Sequence, residues 1–221
     1  MGSSSPFFTN LDDNLVFMAR VFKDAEPAGF IADVVYLFGQ TSDNEDSPIE
    51  VGAELWHTGR AALVGIGDCE TGHGYPGFAV WHAKLRKLGV PPTNIVPVKI
   101  SSGVNVNTLT ESITLVLEAK KQGWRKIFMS AAPVHQLRAF LTVVNQAVNL
   151  YPEVLIYNKA GRELWWDEYV SHSQGITEGK RSGILYGEFD RIRDYYVKGH
   201  LSSFPETLSY IHSRDHYAKI L

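Results

Sequence analysis

Five short apolar runs punctuate this chain, and longer stretches of helical spacing separate them. Residues 31–38, 61–66, 94–98, 126–129 and 154–157 are bounded by Gly, Pro or polar residues, and their apolar positions follow one another with little alternation. Strands buried on both faces read this way, because neither side of the pleat meets water. Between the runs, residues 49–58, 77–88, 108–122 and 134–149 carry helical spacing. Repeated strand–helix alternation predicts a parallel sheet covered by helices, here an α/β, Rossmann-like three-layer sandwich on a mainly parallel five-stranded sheet. The punctuation agrees: Gly59, Gly89 and Gly123 each follow a helical stretch and suit a left-handed C-terminal cap, and Pro133 suits a first helical turn.

This pattern divides the chain into a helical leader (1–30), the α/β core (31–160) and a C-terminal helical extension packed on the core (161–221). Within the extension, Gly and Ser interrupt residues 171–183, which read as a long loop over the core. The Trp165-Trp166 pair reads as core or as an oligomer contact, since large aromatics usually serve burial, and a homo-oligomer is one expectation it raises.

Composition narrows the function. With 221 residues, 44% of them hydrophobic, the chain can bury a full core. A formal net charge of −3 provides no field to attract nucleic acid or an anionic membrane, so neither is expected as a partner. One cysteine, Cys69, excludes an intramolecular disulfide and fits a reducing compartment. No stretch near the start has the form of a signal peptide, and no apolar run approaches about 20 residues. The expected location is the cytoplasm, and the expected partner is a small molecule.

Two segments carry the candidate chemistry. Asn105 to Glu111 and Ser130 to Arg138 each place polar groups where a helix begins. Helix starts carry unpaired N–H donors and a partial positive charge, so two of them close together suit an anionic or strongly polar ligand. Thr108-Leu109-Thr110-Glu111 matches a capping box, with Thr108 as the cap and Glu111 reaching back to it; Glu111 is therefore either a cap or a binding carboxylate. Asn107 adds an amide to the same turn. His135 and Arg138 share one helix face. They either form an anion and acid–base site, with Glu111 and His135 as its catalytic pair, or a surface salt bridge from Arg138 to a neighbouring acid such as Glu111, beside an exposed imidazole. If Arg138 holds a ligand anion, its loss should weaken binding and leave the fold nearly unchanged.

The glycine-rich stretch 65–74 fails as a dinucleotide fingerprint, because Glu70 stands where the third glycine is needed and Asp68 and Glu70 would repel a pyrophosphate. Asp68, Glu70 and His73 have donor types suited to a metal but no recognised spacing, and a solvated acidic loop is the favoured reading, with no metal expected. What remains is a flexible loop that brings its backbone near a bound molecule.

The order of a strand ending in Gly39, a strand ending in Gly65-Ile66-Gly67, Lys87-Leu88-Gly89-Val90-Pro91 before Ile95, Asn107-Thr108-x-x-Glu111, and Ser130 through His135-x-x-Arg138-Ala139 resembles the domain of unknown function 218 (DUF218) family, with its YdcF-like and SanA-like branches. The resemblance spans about Ala32 to Tyr157. It implies a Rossmann-like fold and, through the YdcF-like branch, binding of S-adenosylmethionine; it implies no particular reaction. Gly39, Gly67, Asn107, Thr108 and Arg138 are then the expected ligand-binding residues. A non-catalytic metabolite sensor or protein-interaction module is the alternative.

Overall fold

The computed structural model describes residues 5–69, 71, 74–101, 106–172 and 177–218; Glu70, Gly72, His73 and Asn105, which figured in the candidate loops, lie outside the described residues. The elements run α1 (Leu11–Phe22), β1 (Ala32–Leu37), α2 (Asp46–His57), β2 (Ala61–Asp68), α3 (Phe78–Lys87), a single 3-10 turn (Pro92–Asn94), β3 (Ile95–Lys99), α4 (Thr108–Gln122), β4 (Lys126–Ser130), α5 (Pro133–Leu150), β5 (Leu155–Asn158), β6 (Tyr169–His172), β7 (Thr177–Lys180), α6 (Arg181–Val197) and α7 (Phe204–Ala218).

Strands β1 to β5 form one sheet in the order β3-β2-β1-β4-β5, and every pairing in it is parallel. Successive residues of β1 split between the two faces. Val35 and Leu37 join Ile49 and Ala53 of α2 and Trp81 and Leu85 of α3, whereas Val34 and Tyr36 join Leu115 of α4 and Phe140 and Val143 of α5. Helices α1, α6 and α7 add Phe17, Ile192 and Phe204 to the second face. Helix α2 lies so close to β1 that a Cβ at Gly52 would stand 2.8 Å from Leu37, a distance only glycine permits. The three anticipated glycine caps adopt left-handed φ values of 68°, 88° and 73° at Gly59, Gly89 and Gly123. At the far end of β1, the partly buried Asp33 accepts backbone N–H bonds from Arg125 and Lys126, tying the α4–β4 turn to the sheet.

The strand order reverses direction between β1 and β4. The chain builds outward from β1 through β2 to β3, then returns to β4 on the other side. The connections leaving β1 and β4 therefore diverge at their carboxyl ends, the topological position at which open α/β sheets bind ligands. Ser130, at the end of β4, is in register with Leu37, at the end of β1.

The extension departs from the sequence expectation. The described part of the expected 171–183 loop is ordered differently: β6 and β7 pair antiparallel, and α6 begins at Arg181. The hairpin packs on the β1–α2 connection, where Thr41 Oγ1 donates to Ser171 O, Ser171 N donates to Asp43 Oδ2, and Arg181 Nε donates to Asn44 Oδ1. Trp165 is not core, since 85% of it is exposed, and Trp166 is 46% exposed. The strap carrying them is held from beneath, by the buried Arg181 guanidinium bonding Trp165 O and Glu168. No helix among the described residues is long and apolar enough to cross a membrane.

Candidate functional site

Helix α4 starts beside the carboxyl ends of β1 and β2, and its cap differs from the expected one. The N-cap is Asn107, whose Oδ1 accepts from Leu109 N and Thr110 N, and Thr110 completes the capping box by accepting from Asn107 N. Thr108 is thus the first helical residue and Glu111 is no cap. The early N–H donors of α4 that would have met an anion are bonded to this cap. The α5 start is likewise engaged, with Ala131 N donating to Gln136 Oε1 and Pro133 contributing no N–H.

Freed from capping, Glu111 turns inward. Its Oε1 accepts from Gly39 N at 2.9 Å and from the Tyr36 hydroxyl at 3.2 Å. Gly67, at the end of β2, closes the other side: a Cβ there would lie 3.4 Å from Tyr36 Oη and 3.8 Å from Glu111 Oε1. Tyr75 donates to Gly67 O, and Ile100, just past β3, borders the same point. Burial drives the Glu111 carboxyl up to about 7 against the opposing pull of the Gly39 and Tyr36 bonds and of the Arg138 charge. Burial and the charges of Glu111 and Asp68 also push the Cys69 thiol up to about 11, which disqualifies it as a thiolate nucleophile.

The second cluster begins one residue from Gly39. Gln40 Nε2 donates to Phe38 O at 3.2 Å and to His135 Nδ1 at 2.8 Å. An acceptor at Nδ1 leaves the proton of the neutral ring on Nε2, which lies 3.0 Å from Thr108 Oγ1. Arg138 Nη1 donates to the same oxygen at 2.7 Å. Arg138 then grips Glu188 of α6 by two parallel bonds, Nε to Oε2 at 2.6 Å and Nη2 to Oε1 at 3.2 Å. His172 Nε2 on the hairpin and Arg191 Nη1 each stand 3.0 Å from Glu188 Oε1. Burial, reinforced by the Arg138 charge, holds His135 well below the ordinary histidine range, so the ring is neutral. For Glu188 burial pulls upward, but the Arg138 charge and the His172 bond overcome it and hold the carboxylate well below its ordinary range.

The arrangement joins most of the expected residues. Gly39, Gly67 and Glu111 meet around one carboxylate, and Thr108, His135 and Arg138 form one hydrogen-bonded chain. Consecutive residues Gly39 and Gln40 on one side, and Thr108 and Glu111 one helical turn apart on the other, connect the two groups. Asn107 stands at the helix start as the cap. The exposed alternative for His135 and Arg138 is excluded, since the two are 2% and 1% exposed, and the salt-bridge partner of Arg138 is Glu188 rather than Glu111. Sequence reasoning missed Tyr36, Gln40, His172 and Glu188. Of these, Tyr36 alone left a signal, because a hydroxyl inside a strand buried on both faces must find a buried partner. Among the described residues no group of three or more His, Cys, Asp or Glu side chains is arranged to hold a metal ion.

No family model matches the chain, and neither a curated protein nor a solved structure matches it.

Proposed function

We propose that the chain binds a nucleotide-type small molecule in the crevice at the carboxyl ends of β1, β2 and β4, with S-adenosylmethionine the ligand that the DUF218 resemblance implies. The observation that carries this reading is Glu111. It is a buried carboxyl at the reversal of strand order, titrating at about 7, with both protein donors directed to Oε1. A cationic or hydroxyl-bearing group approaching this carboxyl favours its charged form, and the charge is then worth more than it would be in water. A sulfonium or amino group fits, whereas a free phosphate meets repulsion. Arg138 already forms a bidentate pair with Glu188, so its part is to supply field and position Thr108, and the anionic end of a ligand falls to other donors. Among these groups Glu111 is the one suited to exchange a proton near neutral pH.

Calorimetry with S-adenosylmethionine, S-adenosylhomocysteine and ATP tests the reading. S-Adenosylmethionine should bind best, and its uptake should release protons to the buffer near pH 7 as Glu111 ionises. Glu111→Gln should weaken it roughly ten- to a hundredfold, the scale of a lost charge-assisted bond. Unchanged affinity in that variant for every ligand that binds the parent would remove Glu111 from the site. A protein-interaction role would instead draw on the extension, where Trp165, Tyr169 and Tyr186 are exposed, and concentration-dependent mass in sedimentation would favour it.

A further inference from the structure

A cavity of about 470 Å³ lies among α1, α5 and α6, with Arg138 and Trp166 of the strap in its lining. The apolar lining includes Met18 and Phe22 of α1, Leu137 of α5, and Leu185 and Phe189 of α6, together with Trp166. The volume falls within the range of small-molecule sites, and so does the make-up, an apolar lining with few polar groups. The polar groups here are Arg138 and Glu188, and they are the pair already described: each neutralises the other, and Thr108, His172 and Arg191 take further bonds. The cavity therefore offers a ligand no unpaired charge.

Two features say what shape the occupant has. Met18 and Phe22 continue a stripe on one face of α1 with Leu11 and Leu15, at spacings of four, three and four residues, and those two leucines are 68% and 52% exposed. An apolar track thus leads from the cavity along the helix to solvent. Met18, unbranched and flexible, suits a lining that must fit a chain with many conformers. The parts of this chain outside the described residues contain no run of apolar residues long enough to occupy it. We propose that the cavity and its track bind a neutral long-chain alkyl compound, such as a fatty alcohol or ester, in a site separate from the Glu111 crevice.

The test uses the full chain and the neutral fluorophore N-phenyl-1-naphthylamine, whose emission rises in apolar surroundings, displaced by 1-decanol, decanoate or decylammonium. The fluorophore should bind, and decanol should displace it at a concentration at least threefold lower than either ion. Leu185→Trp and Met18→Trp fill the cavity from two different helices, α6 and α1. Each should abolish the fluorescence gain while keeping the parent's circular dichroism and sedimentation mass, and two variants guard against one that misfolds. Retained fluorophore binding in either folded variant overturns the site, as does the absence of binding by the parent. Displacement by decanoate at equal or lower concentration than decanol overturns the neutral class, because Arg138 would then be capturing an anion. Fluorophore binding that appears only as the sedimentation mass doubles overturns the small-molecule occupant in favour of a second copy of the chain. The S-adenosylmethionine calorimetry is read independently, since Leu185 and Met18 do not touch Glu111.

Discussion

Glu111 and Glu188 are carboxyl groups buried to nearly the same degree, 5% and 2% exposed, on two helices, α4 and α6, that both pack against α5. Their ionisation differs completely. Glu188 faces a guanidinium in bidentate contact and a second arginine, and it stays charged far into acid. Glu111 faces a backbone N–H, a tyrosine hydroxyl and only the distant charge of Arg138, and it titrates at about 7. Burial sets the cost of a charge, and only a full counter-charge at contact distance repays it; dipoles offset it in part. The chain therefore places a settled ion pair beside a carboxyl that can change state near neutrality. The first locks the extension to the core, and the second can take up or lose a proton near neutral pH.

The most damaging way to break this contrast is to remove the counter-charge. Arg138→Ala leaves Glu188 buried without its principal partner, and the loss of stability should reach about 3–5 kcal/mol in urea unfolding. This reverses the sequence expectation that the substitution would spare the fold. Arg138→Met combined with Glu188→Leu should recover most of the loss, since an apolar pair removes both desolvation costs. A loss under about 1 kcal/mol in the single variant would mean that Glu188 is not held as an isolated charge.

The difference between the two carboxylates also shows what a sequence can and cannot disclose. The sheet was legible because strands covered on both faces leave unbroken apolar runs, and because Gly59, Gly89 and Gly123 end helices by a local rule of backbone geometry. Thr108 to Glu111 misled by one residue: the pattern satisfies a capping box, but Asn107 satisfies a neighbouring one, and the energies of two adjacent caps are too similar for spacing to decide. The hairpin was hidden because each strand has four residues and Thr177 to Lys180 are largely polar. Glu188 was unreadable for a different reason. Its neighbours Asp190, Arg191 and Arg193 have the charge pattern of a solvated helix face, and the partner that buries it lies 50 residues away. Trp165 inverted the usual expectation of aromatic burial, since the polar anchor Arg181 holds the strap from below.

The pH dependence sharpens the comparison. Glu111 has a folded pKa of about 7 against an ordinary 4.5, so between these values the folded state binds the extra proton and stability falls as pH rises, by up to about 3 kcal/mol. His135 acts oppositely. Its folded pKa lies well below 6.5, so below that value the unfolded state takes up the proton and stability falls as pH drops. The two trends partly cancel in the parent between about pH 5 and 6.5. Glu111→Gln should expose the His135 trend as stability that increases with pH, and His135→Gln should expose the Glu111 trend as stability that decreases. Identical slopes in the two variants would contradict both assignments.

A smaller effect is expected at Thr108, whose hydroxyl oxygen accepts from both Arg138 and His135. Thr108→Val preserves the shape and strands one donor on each, and should cost about 1–3 kcal/mol by urea unfolding. Thr108→Ser, which keeps the oxygen, should recover most of it. Equal losses in both variants would place the contribution in the methyl group's packing instead.

The mildest substitution tests the Glu111 side alone. Tyr36 donates to Oε1 at 3.2 Å, a longer contact than the 2.9 Å bond from Gly39 N, and it sits wholly inside the sheet. Tyr36→Phe keeps the ring and its edge-on contact with Phe38, removing only the hydroxyl. The stability lost should be about 0.5–1.5 kcal/mol, the net value of one hydrogen bond. Because the hydroxyl donates to the charged carboxylate, its removal favours the protonated form, and the Glu111 titration followed by carboxyl carbon NMR should move to higher pH. The pH at which stability declines should move up with it, while the acid limb governed by Glu188 stays in place. A Glu111 midpoint that moves down would show that the tyrosine oxygen accepts from the protonated carboxyl, and one that stays put would show that the hydroxyl does not hold the charged form.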